Sequence, residues 1–586
     1  FKQKTAYEIR LSLVGSEMCI RDSFPAAKQE QYDPQTTLLR TMEPKSLLFV
    51  HTIKTVTGRR SNEDHPVIQA ATKRFHDYLH RLPDYPEDYP VNPQNVKLVP
   101  IQNIHLSLQD KNHTIRNGDD GRVPHTFDES YQIQIDSTSK DITVAAKTVF
   151  GIVRGLESLA QLVEFGWMTS ASSQWTRLSP AKKTPVFVIR NTPLFIADAP
   201  AYSYRGLMID TSRHYLPLDL ILHNLDVMAM NKLNVLHWHM TDAQSWPFES
   251  TTYPELSEHG AYSKHAVYTH ENVQQVIHEA YLRGIRVIPE FDLPGHSQVL
   301  EKSHPELLSK CPRAQFAQPL NPTLPIVYDF VEKLYQEVTA LFTDDFIHIG
   351  GDEVRLDCWK QDPQILAWAK GHNDMTANQL LNYFESILTD IVFSCDKTPI
   401  AWQELLNEGV ELPPGTVIDV WKGFDTATIE NATKAHYPVI ISGCWYLDHL
   451  KDDWRTYYAC EPLAFNGTKA QKELVIGGHA SMWGERVDAT DFMMRVWPHA
   501  SAVAERLWSG SLPKSYHDVL SKTVEERLVR FRCFMVLRGV TAAPIEPGSC
   551  RHEQPYPPTS LRQERNGEKE EAVPFNARLR VHEESS

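Results

Sequence analysis

The sequence predicts an α/β protein whose larger part is a (β/α)8 (TIM) barrel, preceded by a smaller α+β domain. Three observations carry that expectation. Eight short apolar runs recur through the second part of the chain. Amphipathic stretches with helical spacing lie between several of them. The residues closing the runs are polar or aromatic, as expected where barrel strands open onto a site.

The bulk properties leave room for this. The chain has 586 residues, 41% hydrophobic and 23% charged, which is ordinary globular composition and allows two large domains. Its formal net charge of −15 argues against a nucleic-acid partner, which needs a basic face. No apolar run reaches the ~18 residues of a membrane span.

Taken in order, residues 1–23 read as a non-native segment: charges interrupt LSLVG, no signal-peptide core follows, and VGSEMCIRDS is adapter-like. Residues 45–199 form the supporting α+β domain. VPIQNIHLSLQ (99–109) and YQIQI (131–135) alternate as half-buried strands do, and 142–165 begins as a strand and continues as a helix. APAYSY (199–204) links it to the barrel, residues 200–550. The eight runs are RGLMID (205–210), NVLHWHM (234–240), IRVIPEFD (285–292), FIHIGGDE (346–353), TPIAWQE (398–404), TVIDVW (416–421), PVIIS (438–442) and LVIGGHASMWGE (474–485). Residues 216–233 and 376–393 are amphipathic helices between them. Residues 551–586 are charge-dense and without apolar period, a disordered polar tail.

The run ends read Asp210-Thr-Ser-Arg-His, His237-Trp-His-Met-Thr-Asp242, Glu290-Phe-Asp292 with His296, Asp352-Glu353, Trp402-Gln-Glu404, Trp421 and Trp483-Gly-Glu485. One such end means only that a loop begins. Seven together point to a site at the barrel mouth; Trp402, Trp421, Trp445 and Trp483 could each be core, but a tryptophan at a strand end beside a charged residue is placed to stack on a sugar ring. The sharpest signal is His348-Ile-Gly-Gly-Asp-Glu-Val354. Strand alternation would send Asp352 and Glu353 to opposite faces, so both reach one ligand only if the strand has ended at Gly350-Gly351. Two adjacent acids would then push each other's pKa values apart, giving one neutral and one ionised carboxyl.

HIGGDEV, RGLMIDTSRH, NVLHWHMTDAQSWPFES, EFDLPGHS, AWQE, VIDVW, WYLD and ASMWGERVD, in this order, resemble glycoside hydrolase family 20, and within it the eukaryotic lysosomal-type β-N-acetylhexosaminidases. The resemblance spans roughly residues 45–550. It implies exo-hydrolysis of terminal, non-reducing β-linked GlcNAc and GalNAc without metal or cofactor, the substrate's 2-acetamido oxygen replacing a protein nucleophile. Glu353 would be the general acid and base, Asp352 would hold the acetamido N–H, and Tyr446 its oxygen. Trp402, Trp421 and Trp483 would wall the pocket. Arg205, Asp448 and Glu485 would bind the 3-, 4- and 6-hydroxyls, and Asp242 and His296 would tune the acid.

His449 stands beside Asp448 where relatives carry an apolar residue or an arginine. It would gain charge at acidic pH and tolerate an anionic substituent, although an exposed loop histidine is the plainer reading. Ala243 replaces an acid often found there, with no consequence attached. The resemblance also implies disulfides Cys311–Cys358 and Cys533–Cys550. Pairing among Cys395, Cys444 and Cys460 stays open, Cys444–Cys460 being the pair that would close the loop carrying Tyr446 and Asp448. The sequons at Asn112, Asn431 and Asn466 join the cysteines in favouring the secretory route, lysosomal or secreted. Family members commonly dimerise.

Two rival readings arise from the residues. His237-Trp-His239 mimics the ligand pair of a metal-dependent amidohydrolase-like barrel. A non-catalytic carbohydrate-binding relative would keep the aromatic pocket, but would have no need of a proton donor at Glu353.

Overall fold

The computed structural model describes residues 38–42, 48–53, 65–81, 87–91, 98–108, 122–136, 139–169, 183–311, 318–450, 453–510, 520–547 and 550. The expected foreign segment (1–23), the polar tail (551–586) and Asn112 lie outside them.

Among the described residues the first part of the chain supplies ten strands: β1 (Leu38–Met42), β2 (Leu48–Ile53), β3 (Glu87–Val91), β4 (Leu98–Ile101), β5 (Asn103–Leu108), β6 (Tyr131–Ile135), β7 (Asp141–Ala146), β8 (Glu164–Thr169), β9 (Lys183–Thr192) and β10 (Leu194–Asp198). They form two five-stranded sheets in the orders β3-β8-β9-β1-β4 and β10-β6-β7-β5-β2. The alternation read in YQIQI is realised in β6: Tyr131, Ile133 and Ile135 are buried, Gln132 and Gln134 exposed. Helix α1 (Pro66–Arg81) packs with α2 (Val149–Leu162) against the second sheet. The α2 N-terminus is capped by Thr148, whose side chain accepts from the Gly151 N–H (3.1 Å).

Eight parallel strands then close a barrel in sequence order: β11 (Tyr204–Asp210), β12 (Val235–Thr241), β13 (Arg286–Phe291), β14 (Phe346–His348), β15 (Thr398–Trp402), β16 (Val417–Val420), β17 (Val439–Ile441) and β18 (Val475–Met482), with β18 returning to β11. The expected helices appear as α3 (Leu218–Met230) and, after α4 (Pro325–Leu341), α5 (Ala377–Ser394). A capping box between Thr376 and Gln379 starts α5.

The barrel interior is layered, since alternate residues of each strand point inward. Tyr204, Val235, Ile288, Ile400, Val417 and Ile440 fill the lower layer. Above them His237, Glu290, His348, Asp419 and His479 form a buried polar layer. His237 Nε2 lies 2.7 Å from Glu290 and His479 Nε2 2.7 Å from Asp419. The two carboxylates are tolerated there because each is hydrogen-bonded by an imidazole, while His348 accepts from the Gly350 N–H (3.1 Å). Met208, Trp402, Tyr446 and Trp483 close the top. Both domains share one unit, which ends at Ile545.

Candidate active site

The β14 strand is shorter than the FIHIGGDE run suggests, ending at His348. Gly350 and Gly351 then take positive φ (74° and 93°). A Cβ on Gly350 would stand 1.8 Å from Asp292 Oδ1, so only glycine lets the chain pass this carboxyl. The turn delivers Asp352, buried, and Glu353, whose side chain is 60% exposed and whose own φ is +50°. Glu353 thus holds a left-handed conformation that costs a non-glycine residue about 1 kcal/mol or more.

His296, also at positive φ (48°), stands among the acids. Its Nδ1 is 3.1 Å from Asp242 Oδ1, and its Nε2 is 3.7 Å from Asp352, 3.8 Å from Glu353 and 3.9 Å from Asp292. Burial opposes its charge, yet Asp352, Asp292 and Asp242 hold it protonated well above the usual imidazole range. Asp242 is likewise penalised by burial, but His296 and Arg213 keep it ionised far below the usual carboxyl range.

The acid whose ionisation the site suppresses is Asp292. Asp292, ahead of the cis Leu293–Pro294 bond, is pushed well above the usual carboxyl range by burial and then by Asp352. It accepts from the Gly351 N–H (2.9 Å) and hydrogen-bonds Asp352. Asp352 Oδ1 is buried and makes no hydrogen bond within the protein.

Three indoles and a phenol pack together at the barrel mouth. Trp402 is the most deeply set, fully buried, its N–H donating to Glu290 Oε1 (2.8 Å). Trp421 is half-buried and donates to Glu404 Oε2 (2.8 Å). Trp483 lies 6.1 Å from Trp402 between centroids, and Trp421 stacks on Tyr446 at 6.0 Å. The Tyr446 hydroxyl hydrogen-bonds Trp483 and is pushed well above the usual phenol range by burial. Trp445 is core: fully buried, its N–H donates to the Tyr457 carbonyl. Beside the aromatic walls a cavity of about 370 Å³ is lined by Asp448, His449, Glu485 and Arg486. Burial raises the Asp448 carboxyl to about 6, with its own backbone N–H and His449 pulling the other way. His449 is exposed in this cavity's lining.

Arg205 does not reach this site. Residues 204, 206, 208 and 210 of β11 face the barrel interior, so Arg205 points outward, near the strand's start, where it is fully buried. Its Nη2 donates to both carboxylate oxygens of Glu129 in the first domain (2.7 and 2.8 Å). The arginine at the mouth is Arg213, after the strand's end. It pairs with Asp210 (3.0 Å) and Asp242 (2.7 Å), approaches Glu485 (3.8 Å) and lies 4.9 Å over the Trp483 ring. Arg213 and Asp292 both stand in run ends already quoted; the rule that sites sit at the strands' C-terminal ends, applied with strand parity, finds both.

Disulfides join Cys311 to Cys358 and Cys444 to Cys460, the second closing the segment that carries Tyr446 and Asp448, while Cys395 is free. Cys533 and Cys550 are each disulfide-bonded. Asn431 and Asn466 are exposed.

The chain belongs to glycoside hydrolase family 20. Residues 202–511 match the family model "Glycosyl hydrolase family 20, catalytic domain", and residues 33–162 match "beta-acetyl hexosaminidase like". The chain is 38% identical over 535 residues to human "Beta-hexosaminidase subunit beta", covering 88% of each chain. It is 41% identical over 436 residues to mouse "Beta-hexosaminidase subunit alpha", covering 72% of this chain and 78% of the relative. Among solved structures, Flavobacterium johnsoniae chitobiase superposes with a TM-score of 0.68 at 27% identity, covering 87% of this chain and 72% of that one. A Streptomyces plicatus beta-hexosaminidase in complex with GlcNAc shares the fold, with a TM-score of 0.60 at 22% identity, covering 85% of this chain and 93% of that one.

With the family shown, both rival readings fall away. Among the described residues three His/acid groups bring possible ligand atoms within 4.8 Å of one another: His237 with Asp419 and His479, His237 with Glu290 and His348, and Asp242 with Asp292 and His296. His237 and His239, the HxH pair, are wholly buried beneath the mouth and both turned to Glu290 (2.7 and 2.9 Å), so neither is presented to a substrate.

Proposed function

We infer that this protein is a retaining exo-β-N-acetylhexosaminidase that removes terminal, non-reducing β-linked GlcNAc and GalNAc from glycans by substrate-assisted catalysis. One observation carries the reading. A buried carboxylate oxygen of Asp352 has no hydrogen-bond partner among the described residues, Asp352 acts electrostatically on Tyr446 of the aromatic cluster, and the partly exposed acid Glu353 stands beside His296. An acetamido N–H is the donor such an oxygen needs, and it would be bound there only if the sugar ring fills the aromatic walls.

In the first step the acetamido oxygen, oriented by the Tyr446 hydroxyl, attacks the anomeric carbon. The glycosidic C–O bond breaks, and Glu353 gives its proton to the departing oxygen. The resulting oxazolinium-like ring places positive charge beside the Asp352 carboxyl, a contact stronger in the transition state than in the ground state. Water then attacks the anomeric carbon, Glu353 takes its proton, and the ring opens with configuration retained. Trp421 and Trp483 would stack on the sugar, with Trp402 behind them. Arg213, Asp448 and Glu485 would take the ring hydroxyls, whose paired donors and acceptors suit a guanidinium fork and carboxylates.

A thiazoline analogue of the bicyclic intermediate is expected to inhibit far more tightly than the product sugar. Glu353→Gln should cripple substrates with poor leaving groups while sparing activated aryl ones by roughly two orders of magnitude. Weak thiazoline inhibition together with a trapped ester on a protein carboxylate would overturn substrate assistance.

The disulfides and the exposed sequons at Asn431 and Asn466 support an oxidising compartment, lysosomal or extracellular. Glycan attachment is checked by the mass change on enzymatic deglycosylation. Relatives named as subunits support self-association, which light scattering would report.

A further inference from the structure

The general acid does not stand at the end of its chain of support. From Glu353 inward, His296 Nε2 is at 3.8 Å and His296 Nδ1 at 3.1 Å from Asp242 Oδ1. Asp242 Oδ2 is 3.0 Å from His239 Nε2, and His239 Nδ1 stands 2.9 Å from Glu290 Oε2, at ion-pair distance though off the line of a hydrogen bond. The other oxygen of Glu290 takes the Trp402 indole N–H at 2.8 Å. Acid and imidazole alternate from the barrel centre to the site's rim, and the same inner carboxylate holds the pocket's floor. Glu290, His239 and Asp242 are nearly or wholly inaccessible to solvent.

We propose that Glu290 and His239 are positioning residues that tie two parts of the site together: through Asp242 and His296 they set the proton-holding environment of Glu353, and through the Trp402 indole they fix the acetamido pocket. The proposal rests on the hexosaminidase reading and extends it one layer inward.

Hydrogen-bond chemistry supports the charge pattern. Both ring nitrogens of His239 face carboxylate oxygens, and a neutral imidazole has only one N–H to offer. An imidazolium hydrogen-bonds Asp242 through Nε2 and sets its other N–H at ion-pair distance from Glu290, whereas any neutral arrangement leaves a buried lone pair against a carboxylate. In line with this, Glu290 and Asp242 push His239 up to about 10 against the effect of burial. His239 also meets Asp210 from β11 and the edge of Trp483 from β18. Glu290 faces His237 from β12 and His348 from β14, both of which burial pushes down toward the neutral form, His348 to about 3. Outward, Asp242 meets Arg213, and His296 meets Asp292 and Asp352. His239 is therefore the inner cation of the line, and its removal leaves a net negative field behind Glu353.

The test begins with the unaltered protein. Histidine ring-¹⁵N NMR should show His239 doubly protonated at pH 8, where an ordinary imidazole is neutral; a neutral His239 at pH 7 overturns the proposal without any variant. In His239→Gln the alkaline limb of the kcat/KM profile should move up by about half a pH unit or more, and kcat should fall more for poor leaving groups than for activated ones. An unmoved limb with equal losses on both substrates would reduce His239 to a structural role. Glu290→Gln keeps an oxygen for the Trp402 N–H and Glu290→Leu does not, so the Leu variant alone should raise KM for an N-acetylated substrate by about five-fold or more. Equal KM values in the two variants refute the Trp402 arm. Failure of the unaltered protein to hydrolyse any aryl β-N-acetylhexosaminide would instead overturn the activity, leaving the NMR result standing by itself.

Discussion

Two arginines eight residues apart have unrelated tasks, and substitution separates them. Arg213→Lys replaces a fork that spans Asp210 and Asp242 with a point charge, so kcat/KM should fall by about 10²-fold with little change in melting temperature. A loss under two-fold would remove Arg213 from the sugar site. A quieter residue makes a second prediction. Glu385, on α5, is fully buried with neither carboxyl oxygen hydrogen-bonded, and burial pushes its pKa well above the usual range. Folded Glu385 therefore keeps a proton that the unfolded chain releases above pH ~4.3. Its contribution is intact below that pH and is lost as pH rises toward the folded value, at about 1.4 kcal/mol per pH unit. Glu385→Gln should accordingly stabilise the protein at pH 7 and much less at pH 4, measured by denaturant unfolding at both. Equal effects at the two pH values would mean that Glu385 ionises in the folded state.

At the scale of elements, the decisive piece is the turn after β14. Gly350→Ala adds a Cβ in the space of Asp292, the carboxyl that hydrogen-bonds Asp352, at a φ of +74°. Gly351→Ala meets only the side-chain carbons of Leu405, nearest at 2.8 Å, at a φ of +93°. Both should lose about 1 kcal/mol or more of stability from backbone strain, but Gly350→Ala should also lose most of its kcat. Similar activities in the two would show that Asp292 does not set the position of Asp352. The turn was legible as a break in the alternation of HIGGDEV. Its consequence for ionisation was not, because Asp292 lies 60 residues from Asp352 in sequence and meets it only when β13 and β14 pair.

For the whole molecule, the first domain is fastened to the outside of the barrel by buried charge. Glu129 takes Arg154 (2.8 Å) and Arg205 (2.7 Å), while Arg154 also donates to the carbonyls of Arg283 and Gly284. Glu129→Ala strands two buried guanidinium groups and should cost about 3–5 kcal/mol, seen as a lowered melting temperature or as separate unfolding of the two domains. KM measured well below that temperature should change little, since none of these groups lines the pocket; a large KM rise would mean the first domain shapes the site.

The sequence by itself determined the barrel, because short apolar runs alternating with helical stretches are local patterns. It also determined the identities of the acids and indoles at the strand ends, because strands of one direction open at one end. Only the tertiary structure decided which arginine reaches the mouth, which carboxyl stands against Asp352, and that His239 and Glu290 lie behind Glu353. Those are matters of side-chain parity and of approaches between segments far apart in the chain, and electrostatic coupling acts through distance in space, where sequence spacing carries little information.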